Sequence, residues 1–389
     1  MQFPRAGEAL GSGSEKNRTM STYTLPRLLL AATAASLFAS VLGAVWLLHP
    51  ADSFFHAKQT ATLIAALTSG DTATRVFLIT ALGALATGAA SLSGALGRRG
   101  TMAGAALLTL VLGAGFGSSA TLTSAGYLLA LCMPLLLVGL LVQVIRRYPA
   151  ARWTFGVPAL VLLAGAAVLG REALGNLATT FVAQLAGQGA NLFGPLLLLL
   201  LALLWAAVTI RCARGTEFVA RATSWVTRHR RVFTLIAACG PLPYALARLT
   251  WFTPWPIFGG DAAADPATRI WGITLSSGAW LGAVLTMGLL RPWGENFPRW
   301  VPWLAGRPVP VMAAALPAGA VAAMLCFTAV PLLVQAAASE RSFLMALVFP
   351  CWLWGPALAL AAWGYVGHRR ITGPSGIIRT PAPSPHSGS

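Results

Sequence analysis

About ten apolar stretches, each of roughly 17 to 25 residues, follow one another along this chain, separated by connections whose Arg and Lys content alternates between rich and poor. A helix rising 1.5 Å per residue needs about 20 residues to cross some 30 Å of hydrocarbon. In such a solvent only helices and closed barrels satisfy their own backbone, and runs of this length are helical. The chain is 57% hydrophobic and only 10% charged, against roughly a quarter charged in soluble domains. These observations exclude a water-soluble fold and predict an all-α, polytopic transmembrane helix bundle.

The predicted spans are 28–48, 76–96, 102–118, 126–145 and 153–170, then 192–210, 232–251, 270–290, 311–335 and 343–367. The third is short and rich in glycine. Of the 27 Lys and Arg residues, 21 fall on one side of this serpentine and 4 (Lys58, Arg75, Arg171 and Arg341) on the other, with Arg248 and Arg269 at span ends. The positive-inside rule therefore predicts cytoplasmic N- and C-termini. Because the excess is explained by orientation, the net charge of +17 is no signature of nucleic-acid binding. The expected partners are instead the lipid bilayer, with anionic lipids at its inner leaflet, and a protein partner.

Residues 1–27, polar and rich in Gly, Ser and charge, read as a disordered cytoplasmic tail, with Met20 an alternative start. The first apolar stretch is too long for a signal-peptide core and reads as an uncleaved anchor. Residues 28–367 form one predicted membrane domain, and 368–389, with four prolines among Ser, Gly and Thr, a second disordered cytoplasmic tail. The five cysteines avoid the outer loops and include no C-x-x-C pair, so neither a structural disulfide nor cysteine metal ligation is expected. No cofactor is implied.

Several features carry candidate chemistry. In the inner loop 211–231, Arg214, Arg221 and Arg228 recur every seven residues beside Phe218, Ala222 and Trp225. That pattern suits an amphipathic helix whose arginines meet lipid head groups, at about 1 kcal/mol each. The inner loop from Arg291 to Trp303 concentrates Trp293, Trp300 and Trp303 among prolines, with Glu295 and Arg299 spaced to pair if that stretch is helical. It reads as a stiff interfacial or partner-binding element. At the outer side, Arg248 lies inside a span and Arg269 begins the next, across a loop holding Asp261 and Asp265. A snorkelling Arg paired to a loop carboxylate is one reading, and an anion contact at a cavity mouth, with Tyr244 below it, is the other. Gly240, Pro241 and Pro243 predict a broken helix there.

His49, Asp52 and His56 are the one His/acid cluster, but Pro50 interrupts it and no metal site is assigned. The segment 53–69 is expected to lie as a helix on the outer surface. Gly113 and Gly117 form a G-x-x-x-G pattern that favours close helix packing.

Two segments, Leu242-Pro243-Tyr244-Ala245-Leu246-Ala247-Arg248-Leu249-Thr250-Trp251 and residues 291–310, resemble a pattern in uncharacterised multi-pass membrane proteins of high-GC Gram-positive bacteria. The resemblance implies a plasma-membrane location and supplies no activity. The residues themselves add that no Asp or Glu sits mid-span and that Walker, H-E-x-x-H and G-x-S-x-G motifs are missing. Three functions stay open. The favoured one is a non-catalytic membrane component or subunit; the others are a permease for a small or lipid-like solute and a membrane enzyme acting on a lipid-linked substrate at the outer face.

Overall fold

The computed structural model describes residues 8–56, 62–121, 189–258, 266–297, 305–337 and 340–372, and among them the chain is predominantly helical, without a strand. Six of these helical segments are long and apolar enough to cross a membrane: Leu25–Leu48, Gly70–Leu92, Gly194–Ala213, Arg230–Phe252, Val311–Ala336 and Ser342–Thr372. They coincide with the first, second, sixth, seventh, ninth and tenth predicted spans. The eighth stretch falls on a further helix, and the third on a broken one described below. The predicted spans 126–145 and 153–170 lie outside the described residues. Large aliphatic side chains such as Leu30, Ile79, Leu107, Val284 and Leu316 stand exposed on helix flanks. In water such a surface would aggregate; against lipid tails it is at home. The protein is a helical membrane protein.

The chain divides into two compact units: residues 1–216 with 324–352, and 217–323 with 353–389. The first unit begins with α1 (Glu8–Leu48), which extends back through residues that composition reads as a tail. After α2 (Leu63–Leu67) come α3 (Gly70–Leu92) and α4 (Arg98–Leu110), the last continued by a π turn, Val111–Gly115. The unit also holds α5 (Gly189–Ala213). α1 and α3 meet through small residues, with Ala32, Ala39, Ala81 and Ala84 all buried. Small side chains let helix backbones approach where no hydrophobic effect drives them together. Trp205 of α5 is fully buried and donates its indole N–H to Ser36 Oγ at 3.2 Å. Such a bond is worth about 0.6 kcal/mol between membrane helices.

The segment 53–69 does not form one surface helix. A 3-10 turn, Pro50–Asp52, precedes it, and its described residues make a second, Phe54–His56, and then the short α2. The reason is that Phe54 and Phe55 turn inward and are buried. Phe55 packs edge-on to Trp46 at 5.9 Å and against Phe77 and Phe116 at 5.7 Å each. Each such pair adds about 0.5–1.5 kcal/mol beyond the area it covers. A straight helix would have left these rings at the surface.

In the second unit, α6 (Glu217–Arg228) leads into α7 (Arg230–Cys239) and α8 (Leu242–Leu249). The break between α7 and α8 falls at Gly240-Pro241, as the prolines predict. Gly240 has a second role there: a Cβ on it would lie 2.4 Å from the Trp354 ring. α9 (Pro266–Met287) follows, and then α10 (Val311–Ala336), whose second half belongs to the first unit with α11 (Glu340–Val348). α12 (Cys351–Thr372) returns to the second unit.

Candidate functional site

Several polar residues of the second unit meet at the Trp/Pro loop. Immediately after α9 the chain reverses through single turns at Thr286 to Arg291 and a 3-10 turn, Pro292–Gly294. Pro292 sets that turn, because its fixed φ suits a first helical position and its missing N–H is not needed there. The loop then closes on itself like a hairpin. Phe297 N–H donates to Arg307 O at 2.9 Å, Gly306 N–H to Phe297 O at 2.9 Å, and Val309 N–H to Glu295 O at 2.8 Å, around an Asn296–Pro308 bridge. Gly306 sits at φ +72, in the left-handed region that favours glycine.

α12 clasps this hairpin with residues spaced i, i+3 and i+4, which share one helix face. Tyr365, fully buried, donates its hydroxyl to Gly294 O at 2.7 Å. Arg369 donates Nη1 to Glu295 O at 3.2 Å and Nη2 to Val309 O at 2.8 Å. His368 Nε2 stands 3.3 Å from Glu295 Oε1, and Arg230 Nη1 of α7 stands 4.0 Å from the same oxygen. The Glu295 side chain is 27% exposed, so its ion pairs are half-sheltered from water. Truncating one member therefore costs more than at a surface, since the other charge stays behind.

Asn296 leaves the helical path to bridge Pro308, so the chain is not helical where it follows Glu295. Glu295 turns to His368 and Arg230 instead. Trp293 does not simply project outward: its ring lies against the end of α9, where a Cβ on Gly288 would fall 2.5 Å from it. Arg299, Trp300 and Trp303 lie outside the described residues. Arg230, Tyr365, His368 and Arg369 are the partners that reading the sequence missed. Their signal was present as Tyr-x-x-His-Arg near the end of the last span.

At the other end of the α7–α8 span, the Arg248 guanidinium lies over the Trp251 ring at 3.9 Å and within 5.3 Å of the Tyr244 ring centroid. Its Nη1 is buried and has no hydrogen-bond partner among the described residues. Gly272 of α9 leaves room for it, since a Cβ there would stand 2.9 Å from Nη1. Trp251 is fixed in turn by its N–H donating to Ile257 O at 2.9 Å. Cation–π contact of this kind contributes about 0.5–2 kcal/mol. Arg269 lies in the first turn of α9. Asp261 and Asp265 lie outside the described residues.

α6 is amphipathic, as the spacing predicts. Val226 is buried, Thr223 accepts a hydrogen bond from Trp363 Nε1 at 3.2 Å, and Phe218 and Trp225 stand exposed. Arg221 and Arg228 are exposed as well, and Arg221 pairs with Glu217 at 2.8 Å. Arg214 precedes this helix, exposed, and its carbonyl together with that of Cys212 receives the Arg98 guanidinium. Arg98 thus caps the carbonyl end of α5.

His49, Asp52 and His56 do not converge. His56 instead pairs with Asp71 of α3 at 3.1 Å, and among the described residues no group of three or more His, Cys, Asp or Glu gathers at metal-binding distance. Compared with models of protein families, with curated proteins and with solved structures, the chain matches none of them.

Proposed function

We propose that the chain is a non-catalytic integral membrane component that works through its Trp/Pro loop, in a bacterial plasma membrane with both termini in the cytoplasm. The observation that carries this reading is how the polar groups of the clasp are used. Arg369 spends both terminal nitrogens on backbone carbonyls, Tyr365 spends its hydroxyl on another, and the Glu295 carboxylate faces His368 and Arg230. Groups committed to holding a loop are poorly placed to bind or transform a substrate. A loop whose base is held so firmly is preorganised for a protein partner, which lowers the ordering cost of binding. On α6, exposed Phe218, Trp225, Arg221 and Arg228 suit the head-group layer of an anionic inner leaflet.

A second reading is a permease for a small or lipid-like solute, supported by the α7–α8 break and by the unpartnered Arg248 Nη1 at the far end of α8. Lipid and metabolite profiling of cells with and without the gene separates the two. A component is expected to leave no single solute or lipid species rising or falling with protein dosage. One species that tracks dosage, and that Arg248→Ala shifts as the deletion does, would favour the permease and overturn the component.

A further inference from the structure

The third predicted span is where the first unit breaks its own helical rules. α4 ends at Leu110, continues for one π turn to Gly115, and then unwinds through Gly117 and Ser118 before helical structure resumes. π turns and unwound helices inside membrane proteins persist where they are buried in protein or line a site. The segment packs against a second irregularity, in α10. Pro331 has no N–H, so the carbonyl four residues earlier, on Phe327, is released from the helix ladder. That carbonyl faces Gly117 so closely that a Cβ on Gly117 would lie 2.2 Å from it.

Around this point the structure collects neutral oxygens. Ser118 O accepts from Thr121 N–H at 3.2 Å and from Thr328 Oγ1 at 3.5 Å, and Gln335 Nε2 donates to Ser119 Oγ at 3.0 Å. Ser118, Thr121 and Thr328 are each 0% exposed. Thr121 Oγ1 is buried without a hydrogen-bond partner among the described residues. A buried hydroxyl left unmade costs about 1–3 kcal/mol, and a released carbonyl adds to that. The carbonyl end of α4 contributes the negative pole of its helix dipole at the same place.

We propose that the unwound end of α4 and the Pro331 notch of α10 form a binding site for a small monovalent cation of sodium size. The oxygens of Phe327 and Thr121 supply ligands, with carbonyls at the end of α4. No Asp or Glu occurs in 98–121 or 311–336, and a site of neutral oxygens suits one positive charge rather than the two that call for carboxylates. This inference is independent of the clasp in the second unit.

The test uses the full-length protein in lipid nanodiscs, melted in sodium chloride against choline chloride at constant ionic strength. Sodium is expected to raise the melting temperature in a saturable way. Thr121→Val, which keeps shape and removes the oxygen, is expected to raise the sodium midpoint by about tenfold or more. Pro331→Ala returns an N–H to the Phe327 carbonyl, so it is expected to raise the midpoint similarly while leaving the protein folded in choline. Thr209→Val, which removes a hydroxyl bonded to Trp205 O at 2.9 Å elsewhere in the unit, serves as the control and keeps the wild-type midpoint. A melt indifferent to sodium against choline, or a midpoint unchanged in either variant, overturns the proposal.

Discussion

The two units of this protein are held together by different means. The first is a packed apolar core in which aromatic rings, alanines and one buried indole–serine bond join α1, α3 and α5. The second is fastened at its loop end by hydroxyl, guanidinium, imidazole and carboxylate groups reaching across a hairpin. Dispersion in a lipid solvent is spread over many contacts and tolerates small changes, whereas a polar clasp concentrates its energy in a few directed bonds. The first unit should therefore lose stability in proportion to the volume removed, and the second should fail at single atoms.

Phe77→Ala tests the first half of that comparison most severely. Phe77 is fully buried and touches Trp46, Phe55 and Phe116, so the variant is expected to lose about 3 kcal/mol or more, read as a lowered melting temperature. Phe77→Leu should recover much of it. If alanine there is tolerated, the first unit is not held by its aromatic core.

Arg369→Ala removes two charged hydrogen bonds to backbone carbonyls, each worth about 1.5–3 kcal/mol. A loss of about 2–3 kcal/mol is expected after relaxation, with limited proteolysis newly cutting within 291–309. Arg369→Lys should not restore the loop, because an ammonium lacks the planar fork that reaches Glu295 O and Val309 O together. Tyr365→Phe deletes a single hydroxyl at nearly constant volume and leaves Gly294 O without that donor. About 1 kcal/mol is expected from it. A Tyr365→Phe effect as large as that of Phe77→Ala would blur the distinction between the units.

At the small end stands Arg221→Ala. Its partner Glu217 is four residues away, and both side chains are largely exposed, so stability should move by less than about 0.5 kcal/mol. Binding to vesicles rich in anionic lipid is the sharper readout. A weakened attraction there, at unchanged stability, is the expected outcome, and an unchanged attraction would remove Arg221 from the head-group contacts.

What could be read in advance follows the same division. Periodic features were legible: the long apolar runs, the amphipathic α6, and the break at Gly240-Pro241 each arise from residues close in sequence. The eye could not follow Phe54 and Phe55 inward, because Ser53 to Ser69 has the composition of a surface segment and only the aromatic rings of α1, α3 and the Phe116 turn give them somewhere to go. Glu295 stands out in the sequence as the acid of its loop, but local spacing gives no sign of its actual partners. They lie on α7 and α12, more than sixty residues away in either direction. Prolines at 292 and 298 already argue against the helix that local pairing needs. The glycine pattern at Gly113 and Gly117 was half informative: Gly117 does meet α10 closely, while nothing lies within 4 Å of a Cβ on Gly113.

Hydrogen exchange over 291–309 of the detergent-solubilised protein tests the central claim, that α12 holds the Trp/Pro loop in place. The amides of Phe297, Gly306 and Val309 donate within the hairpin, so they should exchange slowly in the wild type and become fast in Arg369→Ala while the core of the first unit stays protected. Fast exchange at those amides in the wild type, or equal protection in the variant, would contradict the clasp.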